Sequence, residues 1–172
     1  MADAQVKVRP AAEDDLHAIA GIYAPYVTDT VATFEEEVPD HAEWRRRISV
    51  VTDLGLPFIV AELDGTVVGY AYAGPWKPRA AYRHTVEDSI YLAPGHSGQG
   101  IGRTLLTALV EECERIGIRQ IIAVIADTGL PGSPALHRSL GFTDRGTLTK
   151  VGWKHGRWID VALLQRELPG SE

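Results

Sequence analysis

Four groups of residues in this chain have the types and spacing to do chemistry. The stretch "HSGQGIGRTLL" (96–106) sets Gly98, Gly100 and Gly102 at alternate positions and runs directly into a helical pattern. A backbone bared of side chains at a helix entrance suits an anion, most often a phosphate. Successive N–H groups from Gly98 through Gln99, Gly100, Ile101 and Gly102 to Arg103 can point at it, and the helix N-terminus adds about half a positive charge. "HTVEDSIYL" carries two neighbouring carboxylates, Glu87 and Asp88. On an unbroken strand they face opposite sides, so only one lines a cleft as a proton acceptor. "ALHRSLGF" places His137 on a short helix, where an imidazole can act as an acid or simply pack. "PWKPRAAYRH" brings Lys77 and Arg79 into one loop, and a guanidinium there can clamp a carboxylate through two hydrogen bonds.

Rival glycine-loop chemistries fit less well. A P-loop needs G-x-x-x-x-G-K-[ST], and no lysine follows these glycines. A dinucleotide fingerprint needs G-x-G-x-x-G after the first strand; here the spacing is G-x-G-x-G and the unit lies mid-chain. A purely structural turn is the plain alternative. No CxxC or HExxH spacing occurs, so no metal is expected. A net charge of −6 argues against nucleic acid as a partner. The one tight basic run, Arg45-Arg46-Arg47, falls in a helical pattern and reads as a solvated face.

These groups need a scaffold, and the composition supports one. With 172 residues, 45% hydrophobic and 23% charged, the chain is expected to form one globular domain over 1–172, its core at about 6–168. No apolar run approaches the roughly 18–20 residues that span a bilayer, so no membrane association is expected. "MADAQVKVRP" has no apolar segment of a secretory signal, and the single cysteine, Cys113, fits a reducing cytoplasm. Its place at helical core spacing makes it an inert buried thiol.

Periodicity then orders the elements. "VKVRP" reads as a short strand, followed by a helix with Leu16, Ile19, Tyr23 and Tyr26 on one stripe. Asp40 with Glu43 three residues on has capping-box spacing for a helix whose apolar face is Trp44, Ile48 and Val51. "PFIVAELDGTVVGYAYAG" is a hairpin turning at Asp64-Gly65. A strand over "RHTVEDSIYLA" leads into the glycine loop and a helix bearing Ile101, Leu105, Leu109, Cys113 and Ile116, which Gly117 ends. "RQIIAVIA" is apolar on both faces, as a central parallel strand would be. Ser133-Pro134 predicts an N-cap and first turn for a short helix closed by Gly141. Two terminal strands, "FTDRGTLTKVGWK" and "RWIDVALLQREL", pair across Lys154-His155-Gly156. The strand-helix-strand unit over Thr85–Ala126 is a right-handed crossover joining parallel strands. The fold class expected is α+β: a mixed sheet with helices on both faces.

"SGQGIG" resembles the acyl-CoA pyrophosphate loop of the GNAT superfamily of N-acetyltransferases, with Ser97 where arginine or glutamine is usual. "TVATFEEEVPDHAEW", "YAGPWKPRAAYRHTVEDSIYL", "LHRSLGF" and "VGWKHGRWIDVALLQREL" are similar, in order, to the phosphinothricin and methionine sulfoximine N-acetyltransferases. The resemblance implies the GNAT fold, a mostly antiparallel sheet whose parallel strand pair is splayed at the acetyl-CoA site. It implies acetyl-CoA as cosubstrate and no metal. It selects Glu87 as general base, direct or through water; from the residues themselves, hemming by Val86 and Tyr82 is expected to raise its pKa toward that work. It implies a catalytic place for His137 near the reacting sulfur, as acid for the leaving thiolate or to orient the cofactor, where many acetyltransferases of the superfamily carry a tyrosine. It implies that the backbone at Ile90, Tyr91 and Leu92 pairs with the pantetheine arm, and that Ser133 contacts the cofactor. Leu130 stands where an asparagine is common. Lys77 and Arg79 match the substrate loop, with Phe34, Glu37 and Tyr82 as further pocket residues. Trp153 and Trp158 are expected to pack at the sheet end or a dimer contact, and Lys154 and His155 receive no role.

The resulting expectation is a cytoplasmic, homodimeric N-acetyltransferase. It would transfer acetyl from acetyl-CoA directly to the amine of a small amino acid or analogue, in a ternary complex. Two other readings stay open at this point: an acetyltransferase for another amine, such as a polyamine or protein N-terminus, and a non-catalytic acyl-CoA-binding module.

Overall fold

The period-2 runs of the sequence become a seven-stranded sheet, and the period-3.6 runs become helices laid on its two faces. The computed structural model describes residues 5–170. Along the chain come β1 (Lys7–Pro10), α1 (Leu16–Asp29), α2 (His41–Asp53), β2 (Phe58–Leu63) and β3 (Thr66–Pro75). Then follow β4 (Thr85–Leu92), α3 (Ile101–Arg115), β5 (Gln120–Ala126), α4 (Gly132–Ser139), β6 (Thr143–Lys154) and β7 (Arg157–Glu167). The spatial order is β1-β2-β3-β4-β5-β7-β6. Neighbours are antiparallel except β4 and β5, whose parallel contact requires the crossover through α3. The α+β architecture with a mixed sheet and helices on both faces is the one expected. Residues 1 and 172, the limits of the expected domain, lie outside the described residues.

Turn chemistry fixes both hairpins. Asp64 and Gly65 have φ of 49° and 80°, and His155 and Gly156 have φ of 50° and 71°. Both pairs meet the demand of a tight two-residue hairpin for two left-handed residues, which keeps the strand twist right-handed. Asp40 caps α2, accepting from the Glu43 N–H at 2.8 Å. Glu43 does not return the bond: its carboxylate is held by Arg46 and Arg47.

Alternation along β4 splits the core in two. Val86, Ile90 and Leu92 join Leu105, Leu106 and Leu109 beneath α3. Tyr91 faces the other way, joining Tyr23, Trp44 and Tyr70 beneath α1 and α2. Tyr23 meets Trp44 and Tyr91 edge-on at 5.2 Å and 5.0 Å, the arrangement ring quadrupoles favour. The three leucines of α3 are fully buried, each worth about 1.5–3 kcal/mol against exposure.

Three local expectations are corrected. α4 starts at Gly132, with Pro131 as its cap residue and no side-chain cap, so Ser133 lies inside the first turn. β5 is the central strand parallel to β4, but only from Gln120 to Ile122: antiparallel β7 lines its other edge along its whole length, and Val124 is exposed. A run apolar on both faces does not reveal that a strand borders a gap over half its length. Arg47 leaves the solvated face, forming a bidentate pair with Glu35 and lying 5.3 Å over the Trp44 ring.

Candidate active site

The site begins where β4 and β5 part. Their pairing runs only from Thr85↔Gln120 to Glu87↔Ile122. Beyond it β4 continues to Leu92 while held only by β3. The Ala93 N–H donates to the Val68 carbonyl at 2.8 Å, and the Trp76 N–H to the Thr85 carbonyl at 3.3 Å. Odd-numbered residues of β4 therefore bond to β3, and alternation turns the amide groups of Asp88, Ile90 and Leu92 toward the gap. Of the three backbone positions expected to pair with pantetheine, Ile90 and Leu92 face it. Tyr91 bonds toward Tyr70 instead. The Leu92 carbonyl already accepts from the Tyr26 hydroxyl at 2.6 Å, which leaves its N–H directed into the gap.

α3 opens at the same end of β4. Gly98 and Gly100 have φ of 76° and 81°, a region where an L side chain is strained, and Gly100 is the cap residue of the helix. The Thr104 N–H is the first to find an intrahelical carbonyl, that of Gly100. The N–H groups of Ile101, Gly102 and Arg103 thus remain for an anion, while the Ile101 side chain is buried in the core. A Cβ on Gly102 would lie 3.3 Å from Leu136 and 3.5 Å from Leu92, so α3 enters close against β4 and α4. The Gln99 amide donates to the Gly95 carbonyl at 3.1 Å, stiffening the loop. Arg103 donates to the Ser139 hydroxyl at 3.1 Å, tying α3 to α4. Open backbone donors and a side-chain-free entrance fit a pyrophosphate.

Glu87 stands at the parting itself, half-buried, on the face covered by α1 and α2. Burial and the neighbouring Asp88 charge push its pKa up, and Lys77 acts in the opposite direction. Its charge is felt by Tyr72, as is that of Glu35. Val86 does not hem it, because alternation turns that side chain into the core beneath α3. The Lys77 ammonium lies 4.9 Å over the Trp76 ring. Arg79 and Tyr82 are exposed, at the edge and in the body of a short turn over Ala80–Tyr82. Phe34 packs its ring on the Gly152 backbone, and Glu37 is exposed.

His137 lies across the sheet from Glu87. It is buried beside Asp88, with its Nε2 2.8 Å from Asp88 Oδ2 and its Nδ1 2.7 Å from the Ser133 carbonyl. The Ser133 hydroxyl is 3.4 Å from the same Nδ1. Burial alone would lower the imidazole pKa, but the bond to and charge of Asp88, with the Ser133 carbonyl, outweigh it and raise it. A carbonyl only accepts, so Nδ1 carries a proton, and both ring nitrogens have partners. Asp88 Oδ1 is buried with no hydrogen-bond partner among the described residues, so this carboxylate depends on His137.

Sequence reasoning missed several residues of the site. Asp88 was read only as the carboxylate on the other face, and its partner is 49 positions away. Thr33, Glu35 and Arg47 form a polar cluster with Tyr23, whose hydroxyl is 2.7 Å from the Thr33 hydroxyl and donates to Glu35, while the Tyr26 hydroxyl donates to the Leu92 carbonyl. No spacing announces a pair such as Arg47 and Glu35. Lys154 had a signal, its place in the "GWKHG" stretch, but no partner could be read for it. Trp153 and Trp158 are directly opposed across β6 and β7, exposed, with ring centroids 5.0 Å apart.

A parallel pair that parts beside a glycine-opened helix leaves strand amides for a pantetheine arm and helix amides for its pyrophosphate, and this defines the class: an acetyl-CoA-dependent N-acetyltransferase. The chain belongs to the GNAT acetyltransferase family, whose domain, described as "Acetyltransferase (GNAT) domain", matches residues 8–163. It is 50% identical to a phosphinothricin N-acetyltransferase of Alcaligenes faecalis, over 96% of this chain and 84% of that protein. It is 37% identical to an L-methionine sulfoximine/L-methionine sulfone acetyltransferase of Salmonella typhimurium, over 94% of each. The crystal structure of a GNAT superfamily phosphinothricin acetyltransferase from Sinorhizobium meliloti in complex with acetyl-CoA superimposes with a TM-score of 0.92. The two chains are 48% identical, and the match covers 96% of this chain and 90% of that one.

Proposed function

We propose that this enzyme acetylates the α-amine of a small amino acid or analogue of the phosphinothricin or methionine sulfoximine type, by direct transfer in a ternary complex. The observation that carries the reading is Glu87: a half-buried carboxylate at the strand parting, within electrostatic reach of the cationic Lys77 loop. Acetyl-CoA supplies the activated acyl group. Glu87 takes the proton of the incoming ammonium, directly or through water, because only the neutral amine attacks. The N–H groups of Ile90 and Leu92 are the donors for the pantetheine arm and the developing oxyanion. The helix entrance from Gly98 to Arg103 takes the pyrophosphate. Ser133 and His137 border the cofactor side on α4. With both nitrogens of His137 engaged, we assign it to holding α4 against β4 rather than to proton transfer. Lys77 and Arg79 take the acceptor's anionic group, with Phe34, Glu37 and Tyr82 along the same side. The proposal includes a cytoplasmic homodimer built of one domain per chain, on the resemblance alone.

The test is a thiol-release assay with acetyl-CoA across phosphinothricin, methionine sulfoximine, methionine sulfone, the standard amino acids and spermidine. Turnover on the amino-acid analogues, falling about 10²-fold or more in Glu87→Gln, is expected. Turnover confined to spermidine would remove the anion-clamp role of Arg79 and Lys77. Acetyl-CoA binding with no turnover on any acceptor would leave a binding module.

A further inference from the structure

β6 is exposed along most of its length and buries two residues, Gly152 and Lys154. Both meet the segment that joins α1 to α2. A Cβ built on Gly152 would overlap the Phe34 ring, so the strand backbone is the surface on which that ring rests. Lys154 is only 2% exposed, and its Nζ donates to the Thr33 carbonyl at 2.8 Å and reaches the Tyr26 carbonyl at 3.5 Å. No ion pair engages it among the described residues; Glu35 and Glu36 act on it only through their charge, and burial pulls its pKa down.

A buried ammonium met only by carbonyls is a poor choice for stability, since an apolar side chain would fill the same space without the desolvation cost. The contacts it makes are informative. Tyr26 lies in the last turn of α1 with its hydroxyl on the Leu92 carbonyl, at the border of the strand gap. Thr33 starts the run that carries Phe34 and Glu35, and Glu35 is locked by Arg47. The Tyr23 hydroxyl meets Thr33 and Glu35, and the rings of Tyr23 and Tyr26 each lie 5.0 Å from that of Tyr91, which shares its face of β4 with Glu87, so this run and Glu87 border the same face.

We infer that Lys154 is a positioning residue for the acceptor: by tying together the carbonyls of Tyr26 and Thr33, it holds Phe34 and its neighbours beside the Glu87 face. The inference rests on the assignment of that face to the acceptor. The ammonium touches neither substrate. It acts through the segment it fastens, so its removal enlarges and loosens the acceptor side and leaves the cofactor side intact.

The experiment compares wild type with Lys154→Met, Lys154→Arg and Gly152→Ala, reading steady-state kinetics in both substrates, thermal stability and amide hydrogen exchange. Lys154→Met is expected to raise the acceptor KM about tenfold or more while the acetyl-CoA KM stays within about twofold, and Lys154→Arg to recover most of the loss. Gly152→Ala, which displaces Phe34 and keeps the ammonium, shifts the acceptor KM in the same direction. An unchanged acceptor KM, or both constants moving together with a fall in melting temperature, overturns the inference. Should wild type acetylate none of the amino-acid analogues, the functional reading fails, and exchange decides the clamp by itself. Faster exchange over 31–37 in Lys154→Met, with β4 unchanged, supports the clamp, and unchanged exchange rejects it.

Discussion

Glu87 and Asp88 have the same chemistry and adjacent positions, yet the pleat sends one to the face covered by α1 and α2 and the other beneath α4. Burial and the Asp88 charge hold the Glu87 carboxyl above the usual carboxylate range, while Lys77 draws it back. A general base works only when ionised, so the rate rises as pH climbs through that raised value. The acid limb of kcat/KM is therefore expected above the ordinary glutamate value of about 4.3. Lys77→Met removes the cation that favours ionisation and moves the limb further up in pH. Glu87→Gln removes the limb altogether. A pH profile of all three enzymes checks this, and a limb that Lys77→Met leaves in place would separate Lys77 from the base.

At the scale of elements, the Asp88–His137 pair is what joins α4 to β4 beyond the point where β5 has left. Removing the imidazole strands a buried carboxylate, so His137→Ala is expected to lose about 3–5 kcal/mol of unfolding free energy. The sign with pH follows from the raised His137 pKa. The stabilisation is complete below the unfolded-state value of about 6.5 and is lost as pH rises through the higher folded value. The stability advantage of wild type over Asp88→Asn therefore narrows from about pH 6 to pH 9, measurable by denaturant unfolding at both. Most of the elements were legible from periodicity and turn chemistry, as Asp64-Gly65, Asp40 and Gly117 show, because those signals are local. α4 was misplaced at its start because a serine-proline pair suggested a cap, whereas Pro131 already holds helical angles one position before Gly132. The alternation of Glu87 and Asp88 was legible; the partner of Asp88 was not, since nothing short-range connects residues 88 and 137. Lys154 fails in the same way, its two carbonyl partners lying 121 and 128 positions earlier.

Over the whole molecule the sheet works as a partition that parts between β4 and β5. α3 and α4 lie on the face with the open helix entrance, and α1 and α2 on the face of Glu87, so on the proposed reading donor and acceptor approach the strand gap from opposite sides. On that reading both are bound together, and the proposed direct transfer needs no acyl-enzyme. Cys113, the one thiol in the chain, is fully buried in α3 with its pKa pushed up to about 12 by burial, so thiolate is negligible at neutral pH. Initial-velocity lines for varied acetyl-CoA at several acceptor concentrations are therefore expected to intersect, as direct transfer in a ternary complex requires. Cys113→Ala is expected to keep kcat/KM within about twofold, its effect confined to a cavity cost in stability. Parallel lines, or acetate retained on the protein after acetyl-CoA alone, would require a nucleophile, and Cys113 could serve only if α3 opened to expose it.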